Sequence, residues 1–319
     1  MNAASTVDAS RVFGFKIPRR ASRRSFFILL AAFGSAAAFF GAGRASAAEP
    51  VSPPAERMAP PDSSVAGAPD PALVTFTSGG ATLHGWLYVP AGQGPFPAVL
   101  YNHGSEKNPG WFPPLGKFWT EHGFVFFVPH RRGHGRSPGD YIVDLQREFR
   151  AHVADPARGQ QHDVELHERA NLDVVAALAW LRAQAFVKPD ALVVSGISYG
   201  GIQTVLTAEQ GLGVKAFVAF APGAMSWGGN PLLRERLLAA IKKSPAPIFL
   251  LQAGNDYSLG PSELLGGELK RKGAPNRAKI YPAFGNRNDP ADGHAGFAVR
   301  GSAVWGADVT AFVDALLRP

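Results

Sequence analysis

Residues Ala191-Leu192-Val193-Val194-Ser195-Gly196-Ile197-Ser198-Tyr199-Gly200-Gly201 run from an apolar stretch, through a serine framed by glycines, into a helix-like segment over 201–210. A short apolar run bounded by glycine reads as a buried strand, so the join is strand, sharp turn, helix. A serine hydroxyl is a poor nucleophile unless a base takes its proton and donors receive the resulting oxyanion. The turn serves both needs. It lifts Ser198 out at the carboxyl end of a strand and points the backbone N–H of Tyr199, at a helix N-terminus, toward developing negative charge. Gly196 and Gly200 fit because so tight a turn leaves no room for side chains two residues to either side. In a chain with 36 glycines the bare pentapeptide is a weak signal. The strand before it and the helix after it make it informative.

Outward from this turn the chain alternates. Strand candidates are 97–102, 124–129, 191–195, 216–220, 248–252 and 278–281; helix candidates are 114–121, 164–183, 201–210, 232–241, 262–272 and 303–317. Continuous apolar strands alternating with helices predict an α/β fold, a mostly parallel sheet covered on both faces. Two earlier strand-like runs, 73–77 and 82–89, flank Gly79-Gly80 and predict an antiparallel hairpin at one sheet edge, for about eight strands in all. In the long helix candidate, Leu172, Val175, Ala176, Ala179 and Trp180 recur at helical spacing and are expected to face the core. The segment 221–245 is read as a short, minimal lid.

The formal net charge is +7. Residues 1–47 hold seven basic residues, among them Arg23 and Arg24, against the single acid Asp8, so all but one of the net positive charges belong there. A basic nucleic-acid face is therefore not supported. Ser22-Arg23-Arg24-Ser25-Phe26-Phe27 leads into an apolar run to about Gly43, followed by the small residues Ala45-Ser46-Ala47. This resembles a twin-arginine export signal with a cleavage site, which places the protein in the periplasm or outside the cell. The alternatives are a Sec signal or an uncleaved segment anchored in the inner membrane, the only membrane contact expected. Residues 48–71, rich in Pro, Ala and Ser, read as a disordered linker, and 72–319 as the catalytic domain. There is no cysteine, so no disulfide is available.

Of the nine histidines only His294 follows Ser198. It lies in Asp292-Gly293-His294-Ala295-Gly296-Phe297, between the last strand and the last helix. In the order serine, acid, histidine it is the base. The acid is expected at a strand's carboxyl end, and Asp256 follows the strand 248–252 through Ala253-Gly254-Asn255, with Asp292 as the second choice. Tyr101-Asn102-His103-Gly104-Ser105 ends an early strand, and the N–H of Ser105 is the expected second oxyanion donor beside Tyr199. His103 reads as structural, as does the tight turn Arg131-Arg132-Gly133-His134-Gly135-Arg136-Ser137. His130 and His134 are four apart, but the intervening glycine and the lack of acidic partners argue against zinc, and no metal is expected. Neither a phosphate loop nor a dinucleotide fingerprint occurs, so no cofactor is expected. Trp111, Phe112, Met225 and Trp227 are candidates for an apolar acyl pocket.

Taken together, the turn at Ser198, the His-Gly pair, Arg132-Gly133-His134-Gly135-Arg136-Ser137, Asp256 and Asp292-Gly293-His294 resemble the α/β-hydrolase superfamily over roughly 72–318. Gly-x-Ser-Tyr-Gly-Gly and Gly-His-x-Gly-Phe are similar to dienelactone hydrolase-like proteins and to the catalytic domains of prolyl oligopeptidase-type peptidases. Dienelactone hydrolases proper use a cysteine nucleophile, where this chain has Ser198. The resemblance implies a cofactor-free serine hydrolase acting on small carboxylic esters or lactones. The alternatives are a peptidase, an acyltransferase, or a non-catalytic binding protein on the same fold.

Overall fold

A computed structural model describes residues 70–317; the segment read as an export signal and nearly all of the segment read as a linker lie outside the described residues. β1 (Ala72–Ser78) and β2 (Ala81–Tyr88) form the expected antiparallel hairpin, in register from Ala72 opposite Leu87 to Ser78 opposite Ala81. β2 then pairs antiparallel with β4 (Val125–Pro129). The remaining strands are β3 (Phe96–Asn102), β5 (Val187–Ile197), β6 (Ala216–Phe220), β7 (Ile248–Ala253) and β8 (Arg277–Tyr281). They run parallel to β4 and to one another, in the order β1-β2-β4-β3-β5-β6-β7-β8.

Side chains alternate across the pleat, so each central strand feeds two cores. Ala98, Leu100, Phe127, Leu192 and Val194 face a layer made by α3 (Pro156–Arg182), α4 (Tyr199–Ala208), α5 (Pro231–Lys243) and α6 (Gly260–Lys272). Val99, Tyr101, Phe126, Val128 and Val193 face α1 (Pro113–Glu121) and α8 (Ser302–Leu317). β5, β6 and β7 are almost wholly apolar where they are buried on both faces. The edge strand β8 differs: four of its five residues are exposed, and Arg277 and Lys279 are among them.

Chain connections leave β3 toward β4 on one side and β5 toward β6 on the other. The carboxyl ends of β3 and β5 therefore flank the switch point of the sheet, where an open α/β sheet forms its ligand crevice. The loop after Asn102 and the turn at Ser198 meet there.

Two expectations are corrected, and one helix is added. The core face of α3 carries Val174, Ala177, Leu178 and Leu181; of the expected residues Ala176 and Trp180 pack against that core from half-buried positions, whereas Leu172 is 64% exposed and Ala179 is exposed. The stripe is turned because two polar residues, Asn171 and Asp173, also point inward with partners waiting. Asn171 donates to the Gln203 side-chain oxygen and Thr207 Oγ1, and Asp173 accepts from Ser78 and Arg132. Segment 221–245 is no lid, since α5 buries Leu233, Leu237, Ala240 and Ile241 in the first core. Finally, a helix not expected from the sequence, α2 (Ile142–His152), follows the Arg-Gly turn and is tied to α3 by an Arg150–Asp163 ion pair.

Candidate active site

The residue after β5 sits in a backbone conformation that L-residues rarely adopt: Ser198 has φ 56° and ψ −115°. Its N–H donates to the Phe220 carbonyl at 3.0 Å, and its own carbonyl accepts from Ile202 at 3.0 Å and Gly223 at 3.2 Å. Bonds to the end of β6 and the loop beyond hold the strain in place. The flanking glycines are required by close approach. A Cβ on Gly200 would stand 1.9 Å from the Asn102 carbonyl oxygen, and one on Gly196 would stand 2.5 Å from that of Gly200. α4 is thus pressed onto the end of β3. Its first residue is Tyr199, whose N–H, like the others of a first helical turn, has no partner within the helix.

Asp256 and His294 meet, each from its own loop. His294 Nδ1 lies 2.8 Å from Asp256 Oδ1, with the side chains 5% and 0% exposed. The carboxylate is held on both oxygens: Oδ1 also accepts from the Tyr257 N–H at 2.7 Å, and Oδ2 from Gln252 Nε2 at 2.9 Å. An acceptor-only carboxylate at Nδ1 fixes the proton on that nitrogen and leaves Nε2 as the basic atom. Nε2 is buried and has no hydrogen-bond partner among the described residues. In unliganded enzymes the nucleophile–base contact is commonly long.

The loop carrying His294 is one π-helical turn, Asp292–Gly296, running into α7 (Phe297–Arg300). Asn255, the neighbour of Asp256, staples this region. Its Nδ2 donates to the carbonyls of Phe284, Asn286 and Asp289 at 3.0 to 3.1 Å, and its Oδ1 accepts from the Phe284 N–H at 2.9 Å. Asp292, the second candidate for the acid, is turned elsewhere. It accepts from the Asn286 N–H and from Arg300, which together hold its carboxyl below the usual range.

At the end of β3, His103 is fully buried and its Nδ1 lies 2.9 Å from the Gly104 carbonyl. Arg131, 1% exposed, sends one nitrogen to the carbonyls of His103 and Gly104 at 2.8 and 2.9 Å. Its guanidinium lies 4.2 Å from the centre of the Tyr199 ring. Burial pushes the Tyr199 phenol up to about 12 against the opposing pull of Arg131. Burial, reinforced by Arg131, lowers His134 and His167 to about 3 and His103 well below the ordinary imidazole range. His130 falls to about 4 for the same first reason. The neighbouring Arg132 grips Asp173 with Nε and Nη2 and so fastens the Arg-Gly turn to α3. Ser105 is exposed, and its carbonyl accepts from the Tyr141 hydroxyl at the start of α2.

The proposed acyl-pocket residues are not brought together. Trp111 packs against Trp86 and Phe112 against Tyr101, on the α1 and α8 face of the sheet. Trp227 is buried in the opposite core, and Met225 is 61% exposed. His130 and His134 bond the carbonyls of Gly110 and Arg132, and no cluster of metal-ligating side chains occurs among the described residues. No helix there is long and apolar enough to cross a membrane. Asn255 and Tyr141 escaped sequence reasoning, and Arg131 was read only as part of a structural turn. The one local hint was the adjacency of Asn255 to a strand-end aspartate.

Comparison with known proteins agrees with this fold. The chain is 26% identical over 220 residues to a polyketide transferase of Penicillium, an alignment covering 65% of this chain and 67% of that one. An esterase of Pyrococcus furiosus superposes with a TM-score of 0.56 at 16% identity, covering 82% of this chain and all of the esterase. The acylaminoacyl peptidase of Pyrococcus horikoshii superposes with a TM-score of 0.52 at 20% identity over 66% of this chain, but the chain spans only 36% of that peptidase. Residues 79–240 match the X-Pro dipeptidyl-peptidase family. The fold is thus that of the α/β hydrolases, shared with solved esterases and peptidases. With a match spanning half of its length, the chain belongs to the X-Pro dipeptidyl-peptidase (S15) family.

Proposed function

We propose that the protein is a serine hydrolase that cleaves small carboxylic esters through an acyl-enzyme. The observation that carries this reading is the buried Asp256–His294 pair, with Nε2 left basic, beyond the carboxyl ends of β7 and β8, as the strained Ser198 is beyond that of β5. Ser198 Oγ attacks the ester carbonyl while His294 Nε2 takes its proton, and Asp256 stabilises the imidazolium through Nδ1. The N–H groups of Tyr199 and Ser105 receive the oxyanion, each contributing about 3 to 4 kcal/mol. The imidazolium then protonates the departing alcohol, and a water activated by the same nitrogen hydrolyses the acyl-enzyme.

The ester reading is supported by the Pyrococcus furiosus esterase, which 82% of this chain covers over its whole length, and the family match makes X-Pro peptides the second substrate class to test. The test compares p-nitrophenyl acetate with an X-Pro p-nitroanilide and with an added alcohol acceptor. Ester hydrolysis should dominate and should fall at least about 10⁴-fold in Ser198→Ala with the fold intact. Anilide turnover exceeding ester turnover would make the enzyme a peptidase. An unchanged rate in Ser198→Ala would remove the serine mechanism altogether.

A further inference from the structure

We propose that Arg131 is a positioning residue of the oxyanion hole, which aims and polarises the Ser105 N–H from behind while bracing Tyr199. The proposal rests on the serine-hydrolase reading and assigns that site a component outside its triad.

The peptide joining Gly104 to Ser105 is trans, so its C=O and N–H point in opposite directions. Its carbonyl is turned inward and accepts from Arg131 Nη2 at 2.9 Å, and His103 Nδ1 also lies 2.9 Å from it and 3.1 Å from Nη2. The Ser105 N–H is therefore turned away from the buried guanidinium, toward the exposed side where Ser105 itself lies. The second N–H of Nη2 holds the His103 carbonyl at 2.8 Å, which fixes the preceding peptide as well. A carbonyl bonded to a cation polarises its whole peptide, so the N–H on the other side becomes a stronger donor. The central carbon of the same guanidinium lies 4.2 Å from the centre of the ring of Tyr199, the residue that supplies the other donor. One side chain thus ties together both halves of the hole.

Energetics argue that Arg131 is not there for stability. It is 1% exposed, its Nε and Nη1 have no hydrogen-bond partner among the described residues, and against the cost of burial stand only the neutral Tyr199 phenol beside it and, through space, Glu106 and Asp173. A buried cation without an ion pair is costly, and an apolar residue of similar volume would serve packing better. The neighbouring Arg132 shows the contrast: it has its carboxylate, Asp173, at 2.7 Å.

The experiment uses the full chain with Arg131→Met and Arg131→Lys, each assayed on p-nitrophenyl acetate and on the matching thionoester. Sulfur accepts hydrogen bonds poorly, so the thiono reaction draws much less on the oxyanion donors. In Arg131→Met, kcat/KM on the oxygen ester should fall about 10- to 100-fold, while the thionoester loses far less. The oxygen-to-sulfur rate ratio should therefore collapse. Arg131→Lys keeps the charge but offers no planar fork to hold two carbonyls, and its ratio should lie between. The ratio is independent of the folded fraction, so it is readable even where Arg131→Met folds poorly. An equal loss on both esters would mark Arg131 as merely structural, and no loss on either would also overturn the proposal. Ser198→Ala, measured beside them, separates these outcomes: activity surviving there removes the serine reading itself.

Discussion

Asp256 and Asp292 are both close in the fold to His294, yet they have opposite surroundings. Asp256 is enclosed and faces the imidazole, whereas Asp292 caps its own loop and pairs with Arg300. Asp256→Asn would present an amide that either donates to Nδ1 or leaves the tautomer unfixed. In that variant kcat should fall about 10⁴-fold with the fold intact. Asp292→Asn should cost far less, and ester kinetics on the two variants side by side check the distinction. Ser198, Asp256 and His294 were legible because each leaves a local mark: a glycine-framed turn, a strand end, a lone downstream histidine. Arg131 leaves none. Its partners are two carbonyls 27 and 28 positions away and a ring 68 positions on, and nothing beside it in sequence separates it from Arg132.

At the scale of elements, all eight strands were readable, since apolar runs between turn residues need no distant partner to be recognised. α3 shows where such reading fails. Its apolar residues at 172, 175, 176, 179 and 180 form a plausible helical face, but Asn171 and Asp173 find buried partners on other elements and turn the helix. Truncation should reveal the true face. Leu178→Ala should cost about 2 to 5 kcal/mol and Leu172→Ala no more than about 0.5 kcal/mol in urea unfolding, the reverse of what the sequence spacing suggests if only one of them is core. α2 went unread because it buries Ile142 alone, which leaves almost no apolar period to detect. The π-helical turn at His294 went unread because its glycines look like an ordinary loop. Gly293 is there because a Cβ would strike the Asn255 side chain at 2.5 Å.

For the whole molecule, the histidines around Arg131 set the acid limit. His103, His130, His134 and His167 are kept neutral by burial, with folded values of about 4 for His130 and about 3 for His134 and His167. Unfolded, each takes a proton near pH 6.5, so below that pH the unfolded chain binds more protons and stability falls as pH falls. The slope is up to about 1.4 kcal/mol per pH unit for each histidine, and it flattens only once the folded values are passed. Between pH 7 and pH 5, His167→Gln should shrink the loss of unfolding free energy by about 2 kcal/mol, as read from denaturant titrations at the two pH values.

The strand order has a further consequence. Ser198 follows β5 in the middle of the sheet, while the loop bearing His294 hangs beyond β8, an exposed edge strand whose one ladder partner is β7 and whose side chains are tied to Asp308 of α8. Edge elements open at lower free energy than the core they border. Under the proposed chemistry, a chain whose β8 has peeled away keeps its nucleophile and most of its packing yet has lost its base. Turnover is then a gauge of the completed sheet, and it registers a frayed margin before any probe of the core would notice.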